Sequence, residues 1–447
     1  MSEDLLELLP RIMTTQLVGS LVHTDGQAMA VADCPAPIGA LVEIERLAGP
    51  PLRGEVVGFR DDHTIIYPLG QVTGVRRGST VRVVKTTRYL RVGEALLGRV
   101  IGAEGNVLDQ GPPPGCLART RLDRQAPAPV ERPRIQRPLS TGIRAIDAML
   151  TCGRGQRIGI FSGSGVGKSV TLGMMARYTA ADVNVIGLVG ERGREVNEFL
   201  ERDLGPEGLA RSVVVVATSD QPALTRVQAA FTATAVAEYF RDRGNHVLLM
   251  MDSLTRVALA QREIGLAAGE PPTTRGYPPS VFGMLPRLAE RAGLTAKGSI
   301  TGFYNVLVEG DDTNEPVSDT VRGLLDGHVM LSRELAAQGH YPAIDVLNSI
   351  SRLMPAITSP EHQRAARTAR RLLAVHRDHE DLISIGAYRA GSNPLVDTAI
   401  HMKPEIDQFL CQGMDESTEW EATVENFAAL AQRCQQSKPK VENNANA

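Results

Sequence analysis

The stretch IGIFSGSGVGKSVTLGMM, residues 158–175, constrains this chain more tightly than any other. An apolar run leads into closely spaced glycines, then Lys168 and Ser169, then a second apolar run. Glycines let the backbone turn with its N–H groups pointing inward, and a helix that starts there offers the positive end of its dipole to the same anion. The pattern is a phosphate cradle made by Gly163, Ser164, Gly165, Val166, Gly167, Lys168, Ser169 and Val170. Lys168 reaches the terminal phosphates, and the Ser169 hydroxyl is a magnesium ligand. An ordinary glycine turn beside a surface lysine is the plain alternative. Gly-x-Gly-x-Gly-Lys-Ser/Thr arises by chance only about once in a thousand chains of this length, which favours the cradle. One residue departs from the strict P-loop pattern: Ser162 stands where the first glycine is usual.

The 447 residues, 43% of them hydrophobic, suffice for several domains with substantial cores. No apolar run approaches the roughly 20 residues of a membrane span, and the acidic start MSEDLLELLP is unlike a secretory signal, so a cytosolic protein is expected. Five scattered cysteines, Cys34, Cys116, Cys152, Cys411 and Cys434, fit neither a disulfide framework nor a zinc site. A net charge of −3 and 4% aromatic residues give no global sign of nucleic-acid binding.

Along the chain, Leu5, Leu8, Leu9, Ile12 and Met13 have helical spacing, in a segment too short to bury its face alone. Docking on a partner and packing on its own barrel both satisfy that face. From Leu17 to about Val84, short β-branched runs alternate with glycine turns, as in a small closed β domain. Residues 111–138, rich in proline and arginine, read as an extended connector. Apolar runs 158–161, 183–189, 212–217, 246–251 and 300–308 predict an α/β unit whose parallel sheet is covered on both faces, with ligands bound beyond the strand carboxyl ends. From Ser359 onward the pattern is helical, with an arginine-rich face read as solvated. The spacing further predicts a capping box from Thr418 to Glu421 and a helix face of Trp420, Val424, Phe427 and Ala431. Residues 437–447 read as disordered.

Hydrolysis needs more than a cradle: a metal ligand, a group that positions water, and charge stabilisation. Asp252 ends the apolar strand HVLLMM, where a carboxylate holds magnesium through its water shell in the Walker B manner. After the run ending at Val189, GERGREV places Glu191 and Glu195 beyond the sheet's carboxyl edge, with Arg192 and Arg194 between them. Spacing alone does not separate a water-polarising carboxylate from a loop of mutually paired charges.

PLSTGIRAIDAMLTCGRGQRIGIFSGSGVGKS, GERGREV, MMDSLTRVALAQREIGLAAGEPPTTRGYPPSVF and GHYPAIDVLNSISRLM together closely resemble the ATPases of type III protein export in flagella and injectisomes. That family is similar to the catalytic subunits of rotary ATP synthases. The resemblance implies an α/β, RecA-like P-loop ATPase core with an N-terminal β-barrel and a C-terminal helical domain, assembled as a homohexamer. The divisions expected are an N-terminal segment 1–16, a barrel for oligomerisation 17–86, a nucleotide-binding domain 87–358, a helical domain 359–436 and a tail 437–447. By motif, Glu191 matches the glutamate that activates the attacking water, where non-catalytic rotary subunits have glutamine. Arg192 matches its neighbour near the γ-phosphate, Tyr341 the aromatic residue against adenine, and Arg352 the arginine finger that reaches a neighbouring subunit's nucleotide. Lys168, Glu191, Arg192 and Arg352 are thus the expected catalytic set, Ser169 and Asp252 the magnesium residues, and ATP and Mg2+ the cofactors.

The implied partners are a stator or regulatory protein at the N-terminus, a central stalk protein, export substrates with their chaperones, and the membrane export gate, at the cytoplasmic side of the inner membrane. Three rivals stand beside this. A rotary ATP synthase or vacuolar-type catalytic subunit lacks support, because the acidic stalk-contacting motif expected there is missing. An RNA translocase resembling the Rho terminator needs stacking platforms, and residues 17–84 offer only Phe59 and Tyr67. A ring subunit that binds nucleotide without turnover is opposed by Glu191 and Arg352.

Overall fold

The computed structural model describes residues 17–24, 28–308 and 315–436. The amphipathic segment read over residues 3–13 and the tail 437–447 lie outside them.

Alternation of small or β-branched inward residues with polar outward ones closes the strands between Val18 and Lys85 into a barrel. Its strands are β1 (Val18–Thr24), β2 (Met29–Ala32), β3 (Leu41–Ile44), β4 (Leu52–Arg60), β5 (His63–Pro68) and β6 (Thr80–Lys85). They run in the order β1-β2-β5-β4-β3-β6, and β6 pairs back onto β1. Met29, Val31, Val42, Ile44, Val56, Ile66 and Val81 are fully buried inside. Gly54 is required by close approach, because a Cβ there would stand 2.6 Å from the Ile66 side chain.

The connecting region is less extended than expected. β7 (Tyr89–Val92) pairs with β9 (Ala118–Arg121), and β8 (Arg99–Gly102) between them becomes the edge of the central sheet. Residues 111–138 therefore contain a strand and one short turn, Pro129–Glu131. Arg132 ties that turn to the carbonyls of Glu290 and Ala292.

A two-stranded ribbon, β10 (Pro138–Leu139) with β11 (Cys152–Gly153), brackets the helix Arg144–Met149. The central sheet then builds from β12 (Arg157–Ser162), β13 (Val183–Val189), β14 (Ser212–Ala217), β15 (His246–Asp252), the short β16 (Gly293–Leu294), β17 (Ser299–Leu307), β18 (Gly327–Leu331) and β19 (Ile344–Ser351). Their order is β19-β18-β12-β17-β15-β13-β14-β8, with β16 paired to β17. All are parallel except β16 and the edge strand β19. β13 and β14 are buried at every position, as strands covered on both faces must be.

Helices Ala223–Asp242, Leu254–Ala268 and Pro279–Ala289 cover one face. The P-loop helix Lys168–Tyr178 and the C-terminal helices Pro360–Asp378, Pro394–Leu410 and Trp420–Gln436 belong to one continuous core on the other. The C-terminal unit is locked to this face by polar contacts: Arg144 donates to the Phe409 carbonyl, Gln412 to the Gly142 carbonyl, and the His362 ring meets the Ala148 carbonyl at 2.7 Å.

The capping box expected at Thr418 does not form. The last helix starts at Trp420, and Thr418 Oγ1 accepts a hydrogen bond from Arg144 instead. Phe427 and Ala431 are buried as expected, while Trp420 and Val424 are half-exposed at the edge of a face centred on Phe427 and Leu430. No helix among the described residues is long and apolar enough to cross a membrane.

Candidate active site

β12 ends at Ser162, and the chain turns through Gly165 (φ 81°) and Gly167 (φ 82°) into the helix Lys168–Tyr178. A left-handed backbone at both positions is natural only to glycine. Gly167 caps that helix without any side-chain acceptor, so the first-turn N–H groups are left for a ligand. Ser164 and Gly165 are exposed, Val166 is buried, and Gly167, Lys168, Ser169 and Val170 are half-buried around the turn.

The parallel strands bring the chemistry to this turn. β15 ends in Asp252, and Lys168 Nζ donates to its Oδ1 at 2.8 Å. The residue after the β13 turn, Glu191, places Oε1 3.6 Å from Lys168 Nζ and 3.6 Å from Arg256 Nε. That oxygen is buried and accepts no hydrogen bond from the described residues. Burial pushes the Glu191 carboxyl up to about 7, with Lys168 opposing, Asp252 and the neighbouring Glu195 adding to the rise, and Arg256 opposing. Glu195 shifts down, chiefly through its hydrogen bond with Glu191. For Lys168 burial disfavours the ammonium, but Asp252 and Glu191 outweigh it and hold the amine above its usual range. A buried carboxylate poised near neutrality beside a fixed ammonium is an arrangement suited to orienting and polarising water.

Tyr341 follows the helix Arg333–Ala337, and its half-exposed ring lies beside the cradle: a Cβ on Gly167 would stand 3.3 Å from the ring. Its carbonyl accepts from Gln412 N at 2.8 Å, which couples the ring's position to the C-terminal helices.

Two of the residues singled out by sequence stand apart from the cluster. The Arg192 guanidinium is largely exposed and pairs with Glu195 across 3.8 Å. Arg352 follows the last residue of β19, where Ser351 lies opposite Gly327 at the start of β18, whereas the P-loop end of β12 lies opposite Leu331 at its end. Four residues of strand, about 13 Å, separate those ends, so Arg352 sits at the opposite end of the strands from its own P-loop.

Three residues at the site carried no signal in the sequence. Arg256, four residues after Asp252, faces Glu191. The Arg333 guanidinium covers Gly163 so closely that a Cβ there would lie 2.6 Å from it. Asn305 Nδ2 donates to Asp252 Oδ1 at 2.6 Å. Each arrives from a different strand end, which spacing along the chain does not reveal.

Comparison with known proteins agrees with this fold. The ATP synthase alpha/beta family matches residues 142–351 by its nucleotide-binding domain and 22–85 by its β-barrel domain, and the T3SS EscN ATPase C-terminal domain matches 358–429. The chain is 51% identical over 415 residues to the flagellum-specific ATP synthase of Bacillus subtilis, covering 93% of this chain and 94% of that protein. This chain belongs to the family of flagellar and type III secretion ATPases.

A type 3 secretion system ATPase from Xanthomonas euvesicatoria is 50% identical over 92% of this chain and 93% of its own length. The assembled ATPase EscN of the enteropathogenic E. coli type III secretion system superposes with a TM-score of 0.87 at 44% identity, covering 92% of this chain and all of EscN's. The same ATPase in complex with its central stalk EscO gives 0.85. As a member of this family the chain is an ATPase, with the barrel, P-loop core and helical C-terminal unit of its relatives.

Proposed function

We propose that this chain hydrolyses Mg-ATP at sites shared between adjacent copies in a homohexameric ring, and that this drives or licenses protein export. The observation that carries the proposal is a divided set: Lys168, Asp252 and Glu191 converge at one end of the sheet, while Arg352 stands at the other. An arginine there cannot serve its own cradle, but a neighbouring copy in a ring can present it. The relative EscN, whose structure is of an assembled ATPase, supports such a ring here.

The residues fit both expected groups. The uncapped N–H groups and Lys168 suit phosphates, and the Tyr341 ring suits an adenine. The hard oxygens of Ser169 and Asp252 suit magnesium. No group of three or more metal-binding side chains exists among the described residues, which agrees with an ion held by one or two protein oxygens and the nucleotide's own phosphates. When bound, Mg2+ would neutralise charge on the β- and γ-phosphate oxygens.

In this reading Lys168 leaves Asp252 for the phosphates, and Glu191 orients water for in-line attack through the oxygen that accepts no hydrogen bond from the described residues. Arg192 turns from Glu195 toward the γ-phosphate, and the neighbour's Arg352 stabilises the charge that develops on it. Such a finger is worth about 10³ to 10⁵ in rate, so a single copy would be nearly inactive. By the same likeness the protein works in the cytoplasm, peripheral to the inner-membrane secretion apparatus. Its N-terminus would take a stator protein, its C-terminal helices a stalk and chaperone-bound substrates, and the export gate would lie beyond. The complex of EscN with its central stalk supports a stalk partner here.

The test is ATP turnover per subunit measured over a rising protein concentration, with Arg352→Ala alongside. A steep rise that the variant lacks is expected; a flat rate that the variant shares would overturn the proposal.

A further inference from the structure

Asn305 lies on β17, the strand between β12, which leads into the P-loop, and β15, which ends in Asp252. Its amide touches both. Nδ2 donates to Asp252 Oδ1 at 2.6 Å, and Oδ1 accepts from Ser162 Oγ at 3.4 Å. The orientation follows from chemistry: a carboxylate only accepts, so the NH2 end must face Asp252, and the oxygen end needs the donor that Ser162 supplies. All three residues are buried, at 1%, 1% and 4% exposure for Ser162, Asn305 and Asp252. Asparagine is a poor strand former, and burying its amide is unfavourable unless both ends are bonded. Its presence in the middle of a buried strand therefore calls for those two partners.

Asp252 Oδ1 accepts from Lys168 and Asn305 together. When Lys168 turns toward phosphates, the Asn305 bond is the one that keeps the carboxylate in its rotamer, with Oδ2 left for the water shell of a metal ion. We propose that Asn305 is a positioning residue for magnesium, and that Ser162, the residue departing from the P-loop pattern, sets its amide. A glycine at 162 would leave Asn305 Oδ1 without this donor and uncouple the first residue of the cradle from the acidic strand end. The inference rests on the reading of Asp252 as a magnesium residue.

The experiment titrates Mg2+ into the full-length protein with a fluorescent ATP analogue and repeats the binding in chelator. For Asn305→Ala, the Mg2+ concentration needed for half-maximal binding should rise about 10-fold, with binding in chelator unchanged. Ser162→Ala should shift it in the same direction by less, and should add nothing in the Asn305→Ala background, because both act through one chain of bonds. Asn305→Leu keeps the volume and removes both bonds, so it reads the same quantity if the alanine variant folds poorly. An unchanged Mg2+ dependence in these variants, or an equal loss in chelator, overturns the proposal. Mg2+-dependent binding that responds to Asn305 in a protein whose turnover is flat with concentration would keep this inference and remove the shared-site reading; the opposite pattern would do the reverse.

Discussion

Lys168 stands between two carboxylates that would repel one another without it, and it is the group expected to move when phosphates arrive. Lys168→Ala should lower turnover by about 10² to 10³, as removal of a fixed charge-stabilising donor does. A binding titration should show weakened nucleotide affinity as well. Glu191→Gln keeps the shape and removes the base. It should bind ATP normally and lose about 10² to 10⁴ in turnover, and unchanged turnover would remove Glu191 from the mechanism. The sign of the pH dependence follows from its carboxyl, pushed up to about 7 by burial. The ionised form is the active one, so kcat/KM should rise with pH through about 7 and level off above it. Glu195 adds to that rise in Glu191, so Glu195→Ala should move the profile to lower pH. A profile flat from pH 6 to 8 would contradict the assignment. The cradle was legible because its residues are adjacent in the chain, and Asp252 because it ends an apolar strand. Arg256, Arg333 and Asn305 were not, because only the stacking of parallel strand ends brings them together.

At the level of elements, the expected parallel strands all form, since runs such as 183–189 and 212–217 are apolar at nearly every position and bury both faces. β8, β18 and β19 escaped notice because β8 is only four residues long, and β18 and β19 alternate buried residues with half-buried or exposed ones, which breaks the continuous apolar run. The capping box at Thr418 misled for a tertiary reason: the Arg144 guanidinium, far away in the chain, takes that hydroxyl. One long-range pair holds the connector to the core. Arg291 and Glu238 are each 1% exposed and bonded at 2.7 and 3.0 Å, and Arg291 also donates to the Leu122 carbonyl at 2.7 Å. Arg291→Met leaves Glu238 buried, with Arg124 at 3.7 Å as a poor substitute. The loss should be about 3 to 5 kcal/mol. In thermal unfolding that corresponds to a fall in Tm of roughly 3 to 6 °C, and a melt within about 1 °C of the parent would show the pair to be dispensable.

For the whole molecule, the central claim is that one copy holds half of each active site. The P-loop face shares its core with the C-terminal helices, so the nucleotide end is rigidly joined to the surface expected to meet a stalk. Arg352 follows β19 at the opposite end of the strands, and on the proposed reading a neighbouring copy uses it. The most direct measurement mixes two inactive variants, Lys168→Ala, which spoils the cradle, and Arg352→Ala, which spoils the finger. In mixed rings an intact cradle from the second meets an intact finger from the first. Random equal mixing should restore about a quarter of wild-type turnover, since half the cradles and half the fingers are sound. Mixtures no more active than either variant alone would contradict the shared site.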